Sequence, residues 1–198
     1  MWDDDDVTLL TVPGWGNSGD THWHGYWEKT YPLARRVEQR DWLYPTRDEW
    51  VAGLAAAVAE IPGRLVIAAH SLGCHTTVAW LLQASLLEQR KVKGALLVAP
   101  PAIPLTDERA RASGELPEGA PLPTFAGFET LPERKLPVPT LLVASRDDPF
   151  CEFDEARRMA KLWGAEFVDG GAAGHMGSHA GLGSWPAGQS LLQRLILG

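Results

Sequence analysis

The chain predicts an α/β fold, a mostly parallel sheet with helices on both faces. Strand-like apolar runs and helical stretches alternate from end to end, and no repeat or low-complexity segment interrupts them. A length of 198 residues with 45% hydrophobic content is enough to bury one substantial core, so residues 1–198 are read as a single domain.

Residues 7–12 read as the first strand, stopped by Pro13-Gly14. Residues 23–31 look helical, and the second strand is expected within 36–42. Thr46-Arg47-Asp48-Glu49 has capping-box spacing, and the alanine-rich run to Glu60 is a helix ended by Pro62-Gly63. The apolar run from Leu65 forms strand three and leads to Ser71, after which a helix is expected over 74–90. Residues 94–99, 138–144 and 165–168 complete six strands. Helices at 153–163, stopped by Gly164, and at 187–197 finish the wrapping.

Ala69-His70-Ser71-Leu72-Gly73 stands between strand three and its helix, the layout of a nucleophile elbow. In such an elbow a strained turn projects the serine hydroxyl at the top of the sheet. The residues two before and two after the serine crowd together and must be small. Here they are Ala69 and Gly73, alanine replacing the usual glycine at the first position. His70 alternates away from the nucleophile and is expected to pack beside the sheet end.

Acyl transfer by serine needs a base for the hydroxyl proton and an acid to hold that base. Both follow in the order Ser, Asp, His, each on a loop after a later strand. The strand at 138–144 runs into Ser145-Arg146-Asp147-Asp148-Pro149, and the strand at 165–168 into the glycine-rich loop ending at His175. Of the two carboxylates, Asp148 stands three residues after Ser145, with Pro149 fixing the chain beyond it. The donors for an oxyanion are expected at the Leu72 N–H, at the start of the helix, and in the glycine turn after strand one.

These segments, with Pro13-Gly14-Trp15-Gly16-Asn17-Ser18, His22-Trp23, Trp27, Glu28 and Cys74, make the chain resemble a known family. It is similar to the small single-domain serine hydrolases of the α/β-hydrolase superfamily, related to YdeN and to retinoblastoma-binding protein nine. The resemblance spans nearly the whole sequence. It implies a Ser71, Asp148, His175 triad, sheet order 2-1-3-4-5-6 and a compact fold without a large lid. It also places the second oxyanion donor at Trp15, with Gly16 as the alternative.

Composition narrows the partners. A net charge of −7 with no basic stripe disfavours nucleic acid. No apolar run has transmembrane length. Met1-Trp2 followed by Asp3 to Asp6 lacks the layout of a signal peptide, so no membrane association and a cytoplasmic location are expected, the acidic run being a solvated tail. Cys74 and Cys151 cannot make a disulfide framework, and Cys74 is expected to pack inside the helix after the elbow. His22 with His24, and His175 with His179, lack nearby carboxylates or cysteines at ligand spacing, so no metal is expected. Trp23 and Trp27 stand at helical spacing and read as core.

Residues 101–136 are irregular and rich in proline, glycine and charge. They leave strand four on the side where the elbow opens, either as a modest cap or as a loop resting on the surface. Phe125 and Phe128 are the candidate substrate-binding residues there. The expected activity is cofactor-free hydrolysis of small carboxylic esters, best with short acyl chains. A thioesterase or amidase with the same triad is the alternative, and a non-catalytic binding protein on the same fold is the rival from another class.

Overall fold

The structure is a computed structural model that describes residues 6–198. Of the acidic start, Asp3 to Asp5 lie outside the described residues and Asp6 is exposed. Six strands, β1 (Thr8–Val12), β2 (Ala34–Arg36), β3 (Leu65–His70), β4 (Val92–Val98), β5 (Thr140–Ala144) and β6 (Glu166–Asp169), pair in parallel in the order β2-β1-β3-β4-β5-β6. This is the α/β-hydrolase sheet that the family resemblance implies.

Side chains alternate along each buried strand and separate two cores. Leu65, Ile67 and Ala69 of β3 join Leu10, Val12, Leu97 and Leu142 on one face. Helices α2 (Arg47–Ala59), α3 (Leu72–Gln83) and α6 (Phe153–Trp163) cover it through Leu54, Val78 and Met159. On the other face Val66, Ala68, Leu96 and Val143 meet α1 (Trp23–Thr30) and α7 (Pro186–Leu197). Trp23 and Trp27 are core residues there, Trp27 stacking on Trp185 with ring centroids 5.8 Å apart.

Three boundaries depart from expectation. The second strand lies at Ala34–Arg36, overlapping the expected 36–42 only at Arg36, because Leu9, Leu10 and Thr11 of β1 pair with Ala34, Arg35 and Arg36 before the chain turns away at the sheet edge. The helix expected over 74–90 starts at Leu72 and breaks at Ala84, where Ser85 opens a separate α4 (Leu86–Lys91). Ser85 and Glu88 form a capping box there, side chain to backbone in both directions. At Thr46 the box is only half made. The threonine side chain accepts from the Glu49 N–H, while the Glu49 carboxylate takes the Thr46 hydroxyl instead of reaching the backbone.

The irregular stretch over 101–136 contains one short helix, α5 (Asp107–Ala112), capped by Thr106. Its apolar side chains, Ala110, Phe125 and Phe128, gather with Trp15, Trp50 and Leu72 in a third cluster directly over the elbow. The stretch is therefore a small cap and not a surface loop. No helix among the described residues is long and apolar enough to cross a membrane.

Candidate active site

Ser71 sits between β3 and α3 at φ 54°, ψ −127°, a conformation that L residues adopt only under strain. The turn is tight enough that a Cβ on Gly73 would run into the carbonyl oxygens of Val12 and Pro13. Ala69, by contrast, is buried among the core side chains of its face, which is why its methyl group is accommodated. The Ser71 side chain does not cap the helix it opens, so its hydroxyl is free to bond elsewhere.

It bonds His175. Ser71 Oγ lies 2.7 Å from His175 Nε2, and His175 Nδ1 lies 3.0 Å from each Asp148 carboxylate oxygen. Asp148 is almost fully buried, its side chain 3% exposed against 22% for the imidazole. The carboxylate fixes the tautomer: Nδ1–H donates to Asp148, which leaves the Nε2 lone pair to accept the Ser71 proton. Ser71, Asp148 and His175 thus come from three loops at the carboxyl ends of β3, β5 and β6 and form one relay.

Asp147 faces away from the imidazole and clamps the loop that carries it. Its Oδ1 accepts from Ser145 Oγ at 2.7 Å and from the Gly174 N–H at 2.8 Å, while Ser145 Oγ also accepts from the Ala173 N–H. The Ser145 and Gly174 bonds hold the Asp147 carboxyl below the usual range. A second latch is His70, whose Nε2 donates to the His175 carbonyl at 2.8 Å. Burial, then the neighbouring His175, pushes the His70 imidazole down to about 3, so it is the neutral form that donates.

The glycine turn after β1 packs against the elbow. A Cβ on Gly14 would stand 2.8 Å from the Ser71 Cβ and 3.3 Å from the Leu72 nitrogen. The Gly16 N–H is committed to the Trp42 carbonyl at 3.0 Å, which removes Gly16 as an oxyanion donor. Among the described residues the Trp15 N–H bonds no acceptor, and its indole is pinned by Nε1–H donating to the Leu43 carbonyl. Arg36 steadies this loop from β2, pairing with both Glu28 oxygens and donating to the Ser18 carbonyl and Asn17 Oδ1. Ser18 Oγ in turn meets His24 Nδ1, whose ring reaches the Ala68 carbonyl. His22 and His24 therefore serve the start of α1, His22 Nδ1 accepting the His24 N–H.

A cavity of about 410 Å³ opens beside Ser71. Trp15, Leu72 and His175 form its floor, Pro101, Leu105, Ser113, Glu115 and Phe125 come from the cap, and the loop after β6 supplies the far wall. Phe125, at φ 50°, packs edge-on against Trp15 with centroids 5.0 Å apart. Phe128 does not line the cavity; it lies beneath, edge-on to Trp50, because the turn through Gly127 sends the two rings in different directions. Glu115 and Ser145 take places at the site that the sequence alone does not suggest, His70 lies beside the sheet end where alternation puts it, and Asp147 holds its loop, one of the two roles open to the carboxylate that does not face His175.

Comparisons with known proteins agree with the fold. The solved structures it is similar to include a protein described as a YdeN-like hydrolase from Pectobacterium atrosepticum, 29% identical over 97% of this chain and 90% of that one, with a TM-score of 0.76. The ydeN gene product of Bacillus subtilis shares the fold at 18% identity, 98% and 100% coverage and a TM-score of 0.74. The carboxylesterase CesB of Bacillus subtilis shares it at 15% identity, 97% and 83% coverage and a TM-score of 0.63. A search of curated proteins finds no match. The family model described as serine hydrolase matches residues 9–194, nearly the whole chain, and the chain belongs to that family.

Proposed function

We propose that this hydrolase cleaves small carboxylic esters through an acyl-enzyme on Ser71. The observation that carries the reading is the unbroken relay from Ser71 Oγ to His175 Nε2 at 2.7 Å and from His175 Nδ1 to Asp148 at 3.0 Å. Ser71 Oγ attacks the ester carbonyl carbon as its proton passes to His175 Nε2. The carbonyl oxygen becomes an oxyanion, met by the N–H groups of Leu72 and Trp15. Each such donor is worth about 3 kcal/mol in other enzymes. Collapse breaks the bond to the alcohol, which leaves with the proton from His175. Water then adds to the acyl carbon as its proton passes to His175, and collapse breaks the bond to Ser71 Oγ, which takes the proton back from His175 as the acid leaves.

Asp148 orients the imidazole and stabilises its cationic form without taking the proton. The cavity, about 410 Å³ and walled by the cap, has room for a short acyl chain and a small alcohol. Hydrolysis of p-nitrophenyl esters from acetate to palmitate tests this reading. kcat/KM is expected to peak between acetate and butyrate and to fall by several orders of magnitude in Ser71→Ala. Undiminished hydrolysis by Ser71→Ala would overturn the nucleophile, and a maximum at octanoate or longer would overturn the substrate size.

A further inference from the structure

On the esterase reading, Glu115 is the one acidic side chain that lines the substrate cavity among the described residues. Glu115 enters from the cap just beyond α5, and its carboxylate lies so close over the glycine turn that a Cβ on Gly16 would overlap it. No lysine or arginine lines the cavity among the described residues, and the other titratable lining groups are His22, His70, His175 and His179. Its carboxylate oxygens accept no hydrogen bond among the described residues. The aromatic residues Trp15, Phe125 and Phe150 line the same space, Trp15 and Phe125 packed edge-on with only a small part of each reaching it.

We propose that Glu115 selects esters bearing a cationic ammonium group, which its carboxylate and the aromatic wall of Trp15 and Phe125 hold beside Ser71. A carboxylate beside aromatic faces is the chemistry that takes ammonium groups out of water: the charge is balanced, and the ring quadrupoles attract the same cation. Desolvation raises the Glu115 carboxyl above the usual range, offset in part by His179 and His175, so its charge is held at a cost that an incoming cation relieves. A negatively charged acyl or alcohol group meets the opposite field, with no lining lysine or arginine to receive it.

Two pairs of isosteres test this on the full chain. Butyrylcholine is compared with 3,3-dimethylbutyl butyrate, which places the charge on the alcohol. The p-nitrophenyl esters of 4-(trimethylammonio)butyrate and 5,5-dimethylhexanoate place it on the acyl group. The unaltered enzyme is expected to favour the cation by about tenfold in kcat/KM in at least one pair. In Glu115→Gln that ratio should fall to about one, and in Glu118→Gln, an exposed change on the same cap, it should stay. Because each ratio is internal to one variant, a disturbed cap does not mimic the result. Hydrolysis of the neutral esters with no cation preference, or with a preference that survives Glu115→Gln, overturns the charge assignment alone. Absence of turnover on every ester overturns the esterase reading and this one with it.

Discussion

Asp148 holds both carboxylate oxygens 3.0 Å from His175 Nδ1, whereas its neighbour Asp147 spends Oδ1 on Ser145 and the Gly174 N–H. Asp148→Asn is expected to lower kcat by about 10⁴, because an amide cannot hold the same tautomer. Asp147→Asn keeps an acceptor oxygen and should cost far less. Asp147→Ala frees the loop that carries His175 and should cost up to about 10²-fold, the scale of a small misplacement. Steady-state kinetics of the three variants checks the ranking, and equal losses in the two asparagine variants would contradict it. Ser71, Asp148 and His175 can be found in the sequence because each follows the apolar run of a strand, so position along the chain translates into position at one sheet edge. Glu115 has no such frame. It lies in an irregular stretch whose path is set by burial of Phe125 and Phe128 over the elbow, and nothing periodic marks it.

At the scale of elements, Ser85 separates α3 from α4 with a capping box. Ser85→Ala is expected to destabilise the protein by about 1 kcal/mol, lowering Tm by about 2–4 °C. Ester hydrolysis should be unchanged, since α4 lies at the amino end of β4, away from Ser71. Thermal unfolding followed by circular dichroism reads the shift. The break was readable in Ser85-Leu86-Leu87-Glu88, yet two leucines in a helical stretch look like buried periodicity. They are in fact 73% and 75% exposed, and the cap decides the boundary. The edge strand β2 lies ahead of its expected range for a related reason: three residues, two of them arginine, carry no apolar signal, and only pairing with β1 defines them. Interior strands such as β3, buried along their whole length, could not be misread in the same way.

For the molecule as a whole, the buried histidines tie stability to pH. Burial pushes His70 down to about 3 and His75, whose Nε2 donates to the Pro101 carbonyl at 2.8 Å, down to about 4; His22 and His24 are lowered too, chiefly by burial. In the unfolded chain these groups bind protons below about pH 6.5 while the folded protein refuses them. Their neutral burial is therefore harmless above that pH, and stability is lost as pH falls from about 6.5 toward 4. Each contributes a slope of up to about 1.4 kcal/mol per pH unit. Urea midpoints at pH 7.5, 6 and 5 should decline steadily, and a midpoint independent of pH over this range would contradict the burial. The same packing that keeps these rings neutral holds the loop of His175 against the elbow, so fold and chemistry meet at Ser71. The most direct test is reaction of the purified protein with a fluorophosphonate followed by peptide mapping of the labelled residue. A single phosphonylation is expected, on Ser71, that disappears in His175→Ala. Labelling at any other serine, or none in the folded protein, would contradict it.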